Sequence, residues 1–336
     1  MPVKRWLYYA LSLTLILLAT IFSLMKWSDT YSNTHTKRTD FLTEPNTNVM
    51  KVDYILKNRH KYDSFIFGSS RVGAINPLKL KNGKYYNMTY SEGIPKEHLL
   101  NIKLFLEKGV AIKNLLIGLD DFSYKVSFAL HQHRGLTKAH YLATKTNYLT
   151  YLKALYLRFP LGEDRSHMIK KLKGVQGFHL DISKQYESYK KAEAAFDYKK
   201  HFNETYKNNP IFLEPTLYEG NLIDQTIHDI ADIVTLCKKN SINCIFFINP
   251  IHHTTYKYLD IKQLNKFKEK LAKITPYYDF TLPNKISNNN SYWSESSHYT
   301  LQVGDMIIHR IFDNNSSIKN FGIYIPQKKD SIKHAI

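Results

Sequence analysis

Three short stretches of this chain put a nucleophile, a base or a backbone donor where such a group can work. The first is Gly68-Ser69-Ser70-Arg71, directly after the apolar run Ser64–Phe67. A serine at a strand-to-helix turn stands at the sheet edge where open parallel sheets bind their ligands. The glycine permits the tight turn and leaves the serine open from above. The second stretch is Glu295-Ser296-Ser297-His298. A serine hydroxyl is a poor nucleophile until a base takes its proton, and histidine is the usual base. A carboxylate three residues earlier can hold the other ring nitrogen and stabilise the imidazolium. The third is Gly93, in Asn87-Met88-Thr89-Tyr90-Ser91-Glu92-Gly93, whose N–H can serve an oxyanion. Each also has an ordinary structural reading. These are a serine N-cap, a capping acid near one of 15 histidines, and a turn glycine.

Two further pairs follow apolar runs. Gly118-Leu119-Asp120-Asp121 ends one run, and its aspartates suit helix capping or, with Arg71, contact with substrate. Asn249-Pro250-Ile251-His252-His253 ends another and offers paired histidines for substrate or for a solvated loop. Adjacent loop histidines rarely chelate an ion without other ligands, so no metal and no cofactor is expected. Cys237 and Cys244 form neither a disulfide framework nor a metal pattern. They read as small buried residues, with a single bridge as the alternative in an oxidising compartment.

These groups need a scaffold, and the hydrophobic pattern supplies one. Extended runs fall at 64–67, 84–89, 114–119, 242–248 and 278–282. Helical spacing falls at 96–108, 222–239, 260–274 and 301–312. Short apolar strands alternating with helices predict an α/β domain with a parallel sheet of about five strands, covered on both faces. Residues 123–217 show no clean strand and read as a helical insertion beside the carboxyl edge of the sheet. Residues 28–48 are polar without an apolar period and read as a tether. The domain then runs over 49–318, and 319–336 is a Lys-rich tail.

The order strand–Gly-x-Ser, strand–loop–Gly, strand–Gly-x-Asp-Asp and a late acid-x-x-His resembles the SGNH (GDSL-type) hydrolase superfamily, over roughly 60–125 and 240–312. The resemblance implies a flavodoxin-like SGNH three-layer sandwich. It makes Ser70 the nucleophile, His298 the base, Glu295 the orienting acid, and the N–H groups of Ser70 and Gly93 the oxyanion hole. With its Gly68-Ser69-Ser70 start and the apolar N-terminal run 7–25, the chain looks especially similar to envelope members such as the DltD and alginate-acetylation proteins. The implied function is an O-acyl esterase or O-acyltransferase acting through an acyl-serine on a glycan or cell-wall polymer. Two residues depart from the pattern. Glu295 replaces Asp, and Asp120 stands where the family has an Asn donor. An ionised carboxylate cannot donate, and losing one oxyanion donor is worth about 2.7–4 kcal/mol. The second reading is therefore a catalytically degenerate binding or assembly factor that partners a membrane-bound O-acyltransferase.

Residues 7–25 carry no charge and as a helix span about 28 Å, close to the ~30 Å hydrocarbon core. Lys4 and Arg5 hold the N-terminus inside by the positive-inside bias, and Trp6 and Trp27 suit the two interfaces. Residues 1–27 thus read as a cytoplasmic stub and single-pass anchor in the cell membrane. A cleaved signal peptide is the alternative, with only a poor cleavage site at Ala19-Thr20-Ile21. The net charge of +18 suits an anionic envelope polymer or lipid head groups outside the cytoplasm, or simply a Lys-rich proteome. Nucleic acid is disfavoured by the anchor and by the lack of a binding motif. A topology reporter fused after residue 40 is expected to be active only outside the cytoplasm, on a protein that keeps its N-terminus. A mature chain beginning after Ala19 or Ser23 would replace the anchor with a cleaved signal.

Overall fold

A computed structural model describes residues 2–35, 40–194, 215, 217–313 and 318–328. Helix α1 (Pro2–Ser28) is long and apolar enough to cross a membrane. The rest is mixed α/β. Its strands are β1 (Asp40–Phe41), β2 (Ser64–Phe67), β3 (Tyr85–Asn87), β4 (Asn114–Leu119), β5 (Phe178–His179), β6 (Asn243–Ile248), β7 (Tyr277–Asp279) and β8 (Ile323–Ile325). β1 and β5 pair antiparallel in a separate ribbon, and the other six form one sheet ordered β3-β2-β4-β6-β7-β8. The first five of these strands are mutually parallel, as the sequence pattern predicts.

Period-two alternation divides the strand side chains between two cores. Phe65 and Phe67, with Leu115, Ile117 and Phe246, join the core under α2 (Thr47–Lys57), α3 (Pro95–Glu107), α8 (Ile223–Lys239) and α10 (Ile261–Ile274). Ile66, Leu116 and Phe247 join the opposite core, against α11 (Leu301–Phe312) and Trp293. Both sheet faces are apolar, so both must be covered. Cys237 and Cys244 are free thiols, the first buried and the second half-buried.

The insertion contains α4 (Phe128–His133), α5 (Tyr148–Tyr156), α6 (Gly162–Leu172) and α7 (Gln185–Ala194), with the short strand β5 among them. Helix α9 (His253–Tyr258) belongs to the sheet domain. α7 packs on the turn after β2, at the carboxyl edge of the sheet. Residues 195–214 and 216 of the insertion lie outside the described residues. The tail is not featureless. Its segment Ile323–Ile325 adds an antiparallel edge strand to β7, with Tyr324 against Tyr278 at 5.3 Å. Three residues in a Lys-rich context are too few to register as a strand pattern. Residues 329–336 lie outside the described residues.

The polar stretch after α1 is not a free tether. Ser28, Asp29, Thr30, Ser32 and Asn33 are buried. Asp29 accepts from Tyr156 Oη at 2.7 Å, from His35 Nδ1 at 2.7 Å, and from the backbone N–H groups of Asn33, Thr34 and His35. Asn46 caps α2 through Val49 N–H and donates to the carbonyls of Gly135 and Lys138. The polarity that suggests solvent serves instead to satisfy a buried network. Asp29→Ala strands these donors and is expected to cost about 2–4 kcal/mol. Thermal unfolding of the full chain in detergent measures this, and an unchanged Tm would return the segment to the status of a tether.

Candidate active site

The turn that presents Ser70 is shaped by backbone constraint. Gly68 has φ +154°, and a Cβ there would lie 2.6 Å from Val72 Cγ1 and 3.0 Å from the Gly118 carbonyl. Ser69 then caps a short 3₁₀ turn, Ser70–Ala74, accepting from Arg71 N–H at 3.3 Å. Thr89 Oγ1 donates to the Ser69 carbonyl at 2.6 Å, tying this turn to the segment after β3. A side chain at Gly93 would stand 2.7 Å from the Gly68 carbonyl. Its loop therefore lies directly against the serine turn.

The acid and base sit on a closed loop before α11. Trp293 and Tyr299 form an antiparallel bridge, and Ser294 N–H donates to the His298 carbonyl at 2.8 Å. Trp293 is fully buried and donates its indole N–H to the Ile286 carbonyl at 3.0 Å. Glu295 Oε2 accepts from Ser297 N–H at 2.8 Å, while Oε1 meets His298 Nδ1. Burial works to raise the Glu295 carboxyl, but its hydrogen bond with His298 and the His298 charge hold it below its usual value. The extra methylene of Glu is taken up within the loop. His298 Nε2 lies 2.7 Å from Ser70 Oγ across 228 residues of sequence. Ser70, His298 and Glu295 therefore meet in the geometry that a proton relay requires.

Arg71 is almost wholly buried beside the serine. Its Nη1 donates to Asp121 at 2.6 Å and to Asp120 at 3.2 Å, and its Nε and Nη2 reach Ser297 Oγ at 3.3 and 3.2 Å. Burial opposes the guanidinium charge, yet Asp121 and Asp120 hold it firmly protonated. Burial raises Asp120 against the pull of Arg71. Asn249 Nδ2 donates to Asp120 at 3.0 Å, and Tyr299 Oη donates to Asn249 Oδ1 at 2.8 Å. Asp120 and Asp121 are thus internal counter-ions and not substrate contacts. Arg71 alone of the three borders the cavity. The expectation for His252 and His253 also changes. His252 is buried against Trp293, caps α9 through Thr254, and is pushed down to about 4 mainly by burial. His253 is exposed and 3.4 Å from Asn290 Oδ1, and neither histidine lines the clefts at Ser70.

Two clefts meet at Ser70. One, of about 270 Å³, is bordered by Tyr189, Glu193, Glu295, His298 and Tyr299. The other, of about 390 Å³, is bordered by Glu44, Tyr90, Ser91, Phe178 and Tyr189. Tyr189 and Glu193 of α7 and Ser297 escape a reading from sequence. The first two lie in an insertion without a motif, and Ser297 resembles its serine neighbours.

An ionic group with a buried His131–Glu97 pair and a more open Glu92–Arg134 pair holds the Gly93 loop. Glu92, at φ +53°, accepts from Arg134 at 2.6 Å and lies 3.3 Å from His131 Nε2, whose Nδ1 meets buried Glu97 at 2.9 Å. Burial alone would lower His131, but Glu92 and Glu97 outweigh it and raise it to about 9. Comparison with known protein families and with curated protein sequences finds no match. A histidine raised in the folded state stabilises fully below its unfolded value of ~6.5, and loses that contribution as pH rises through the folded one. The stability of the native chain over a His131→Gln variant is therefore expected to shrink between about pH 6.5 and 9. Denaturant titrations across that range would show it, and a pH-independent difference would refute it.

Proposed function

We propose that this chain is a membrane-anchored SGNH-type O-acyl esterase or O-acyltransferase that acts through an acyl-serine on an envelope glycan or similar polymer. The single observation that carries the reading is the 2.7 Å contact of Ser70 Oγ with His298 Nε2, with Glu295 on the other ring nitrogen. The parallel strand order second-first-third-fourth-fifth, with the site at the carboxyl ends, agrees with a flavodoxin-like arrangement.

In the proposed reaction Ser70 Oγ attacks the acyl carbonyl as its proton passes to His298 Nε2. The ester C–O bond breaks, and the leaving alkoxide takes that proton. Water or an acceptor hydroxyl, deprotonated by the same nitrogen, then attacks the acyl-serine and restores Ser70. Glu295 holds the imidazole and stabilises its charged form. The N–H groups of Ser70 and Gly93 are the proposed oxyanion donors. Asp120 cannot serve, but Arg71 balances part of its charge beside the developing oxyanion. Two clefts meeting at one serine favour transfer, with donor and acceptor approaching from different sides. Aromatic rings beside polar groups, as at Tyr90, Ser91, Phe178 and Tyr189, suit a sugar. Export by α1 and the +18 charge match an anionic polymer as neighbour.

The second reading, a degenerate SGNH-like binding or assembly factor beside a membrane-bound O-acyltransferase, draws on Asp120 replacing an oxyanion donor. A fluorophosphonate probe separates the two readings. The native chain is expected to label, Ser70→Ala to lose labelling entirely, and His298→Ala to slow it by about 10²–10⁴-fold. Each should keep the native Tm within a degree or two, since Ser70→Ala removes no core volume. A native chain that never labels would make the binding factor the better reading.

A further inference from the structure

The insertion carries a second feature, remote from the chemistry. Outside α1, the exposed large apolar side chains of the described residues concentrate in 148–175. Leu149, Leu157, Leu161 and Ile169 are among them, and Phe159 and Leu172 are each 76 % exposed. Scattered exposed leucines need no explanation, but a cluster on adjacent helices marks a surface that something covers. Exposed Lys153, Arg165, Lys170 and Lys173 are interleaved with it. Long basic side chains of this kind lay their stems on apolar ground and keep their charges in a polar layer.

The position of α1 identifies the occupant. Ile21, Phe22 and Met25 pack against Tyr151, Leu155, Tyr156 and Met168 of α5 and α6. Phe22 meets Tyr156 edge-on at 5.9 Å. Lys171 donates to the Trp27 carbonyl and sits 4.5 Å over its ring. The insertion therefore grips the last turns of the same helix whose residues 7–25 fit a bilayer. From Ile21 to Trp27 is about 9 Å along that helix. With α1 across a membrane, α5 and α6 stand beside the final stretch of the span. That matches the ~5–10 Å to which interfacial helices sink their apolar faces.

We propose that residues 148–175 form a monotopic docking face. It immerses Phe159, Leu172 and their neighbours in the phospholipid leaflet at the carboxyl end of α1, with the basic fringe in the head groups. The face rests on α1 spanning a membrane and is independent of the esterase or transferase reading. It makes the membrane a second wall of the protein, holding the domain at one height and one tilt.

The test is collisional spin labelling of the full chain in nanodiscs containing one third anionic phospholipid. A nitroxide amino acid replaces Phe159, Leu172 or, as an exposed position outside the segment, Tyr258. The labels at 159 and 172 are expected to favour apolar oxygen over a water-soluble nickel chelate several-fold more than the label at 258. Equal nickel accessibility at all three sites would overturn the proposal. So would protection of 159 and 172 from both relaxers, which would mean a protein surface covers the face, from a second copy or another chain. Probe labelling at Ser70 in the same samples reports the active site separately, so either reading can fail alone.

Discussion

A buried guanidinium sets the terms on which this site assembles. Arg71 follows Ser70 in sequence and cannot be buried without partners, because an unpaired interior charge costs several kcal/mol. Its partners come from two distant segments: the aspartates that end β4 and Ser297 of the histidine loop. Satisfying one charge brings the ends of two strands and the loop before α11 to one point. The Ser70–His298 contact lies beside that point. Asn249 and Tyr299 extend the same chain of partners from β6 back to the histidine loop. Asp120 and Asp121 form the carboxylate pair that holds the arginine.

The two glycine-bearing loops show how little freedom remains around the serine. Gly68 is bent into a region that other residues rarely adopt, and Gly93 is pressed onto its carbonyl. Behind Gly93, Glu92, His131 and Glu97 form a second ionic cluster that joins the sheet domain to α4 of the insertion. The insertion is therefore braced at several places, among them α4 on the Gly93 loop, α7 on the serine turn, and α5 with α6 on α1.

Much of this was legible in the residues because strong local patterns reflect strong local causes. The runs 64–67, 114–119 and 243–248 are apolar on both faces, so they declare buried parallel strands. Ser70, Glu295 and His298 stand out in the sequence because a hydroxyl, a carboxylate and an imidazole each sit in a turn beside an element, and the structure brings the three together. What stayed hidden depends on distant partners. Asp120 and Asp121 read as caps or substrate contacts until Arg71 is seen between them. Asp29 read as tether because polarity in sequence does not say whether water or Tyr156 answers it. Ile323–Ile325 is too short to show a period, and Tyr189 reaches the site only through the path of the insertion.

The order of the relay along the chain has a consequence for its biogenesis. Acid and base share one loop, but the serine lies 228 residues earlier. A chain that crosses a membrane behind its N-terminal helix presents the serine first, with no proton acceptor beside it. The pair forms only when α11 and the loop before it have emerged and closed over the sheet. Folding of such distant contacts is slow compared with local structure. Under the proposed function, Ser70 therefore stays without a proton acceptor until His298 reaches it, and the relay is complete only once the whole domain has folded.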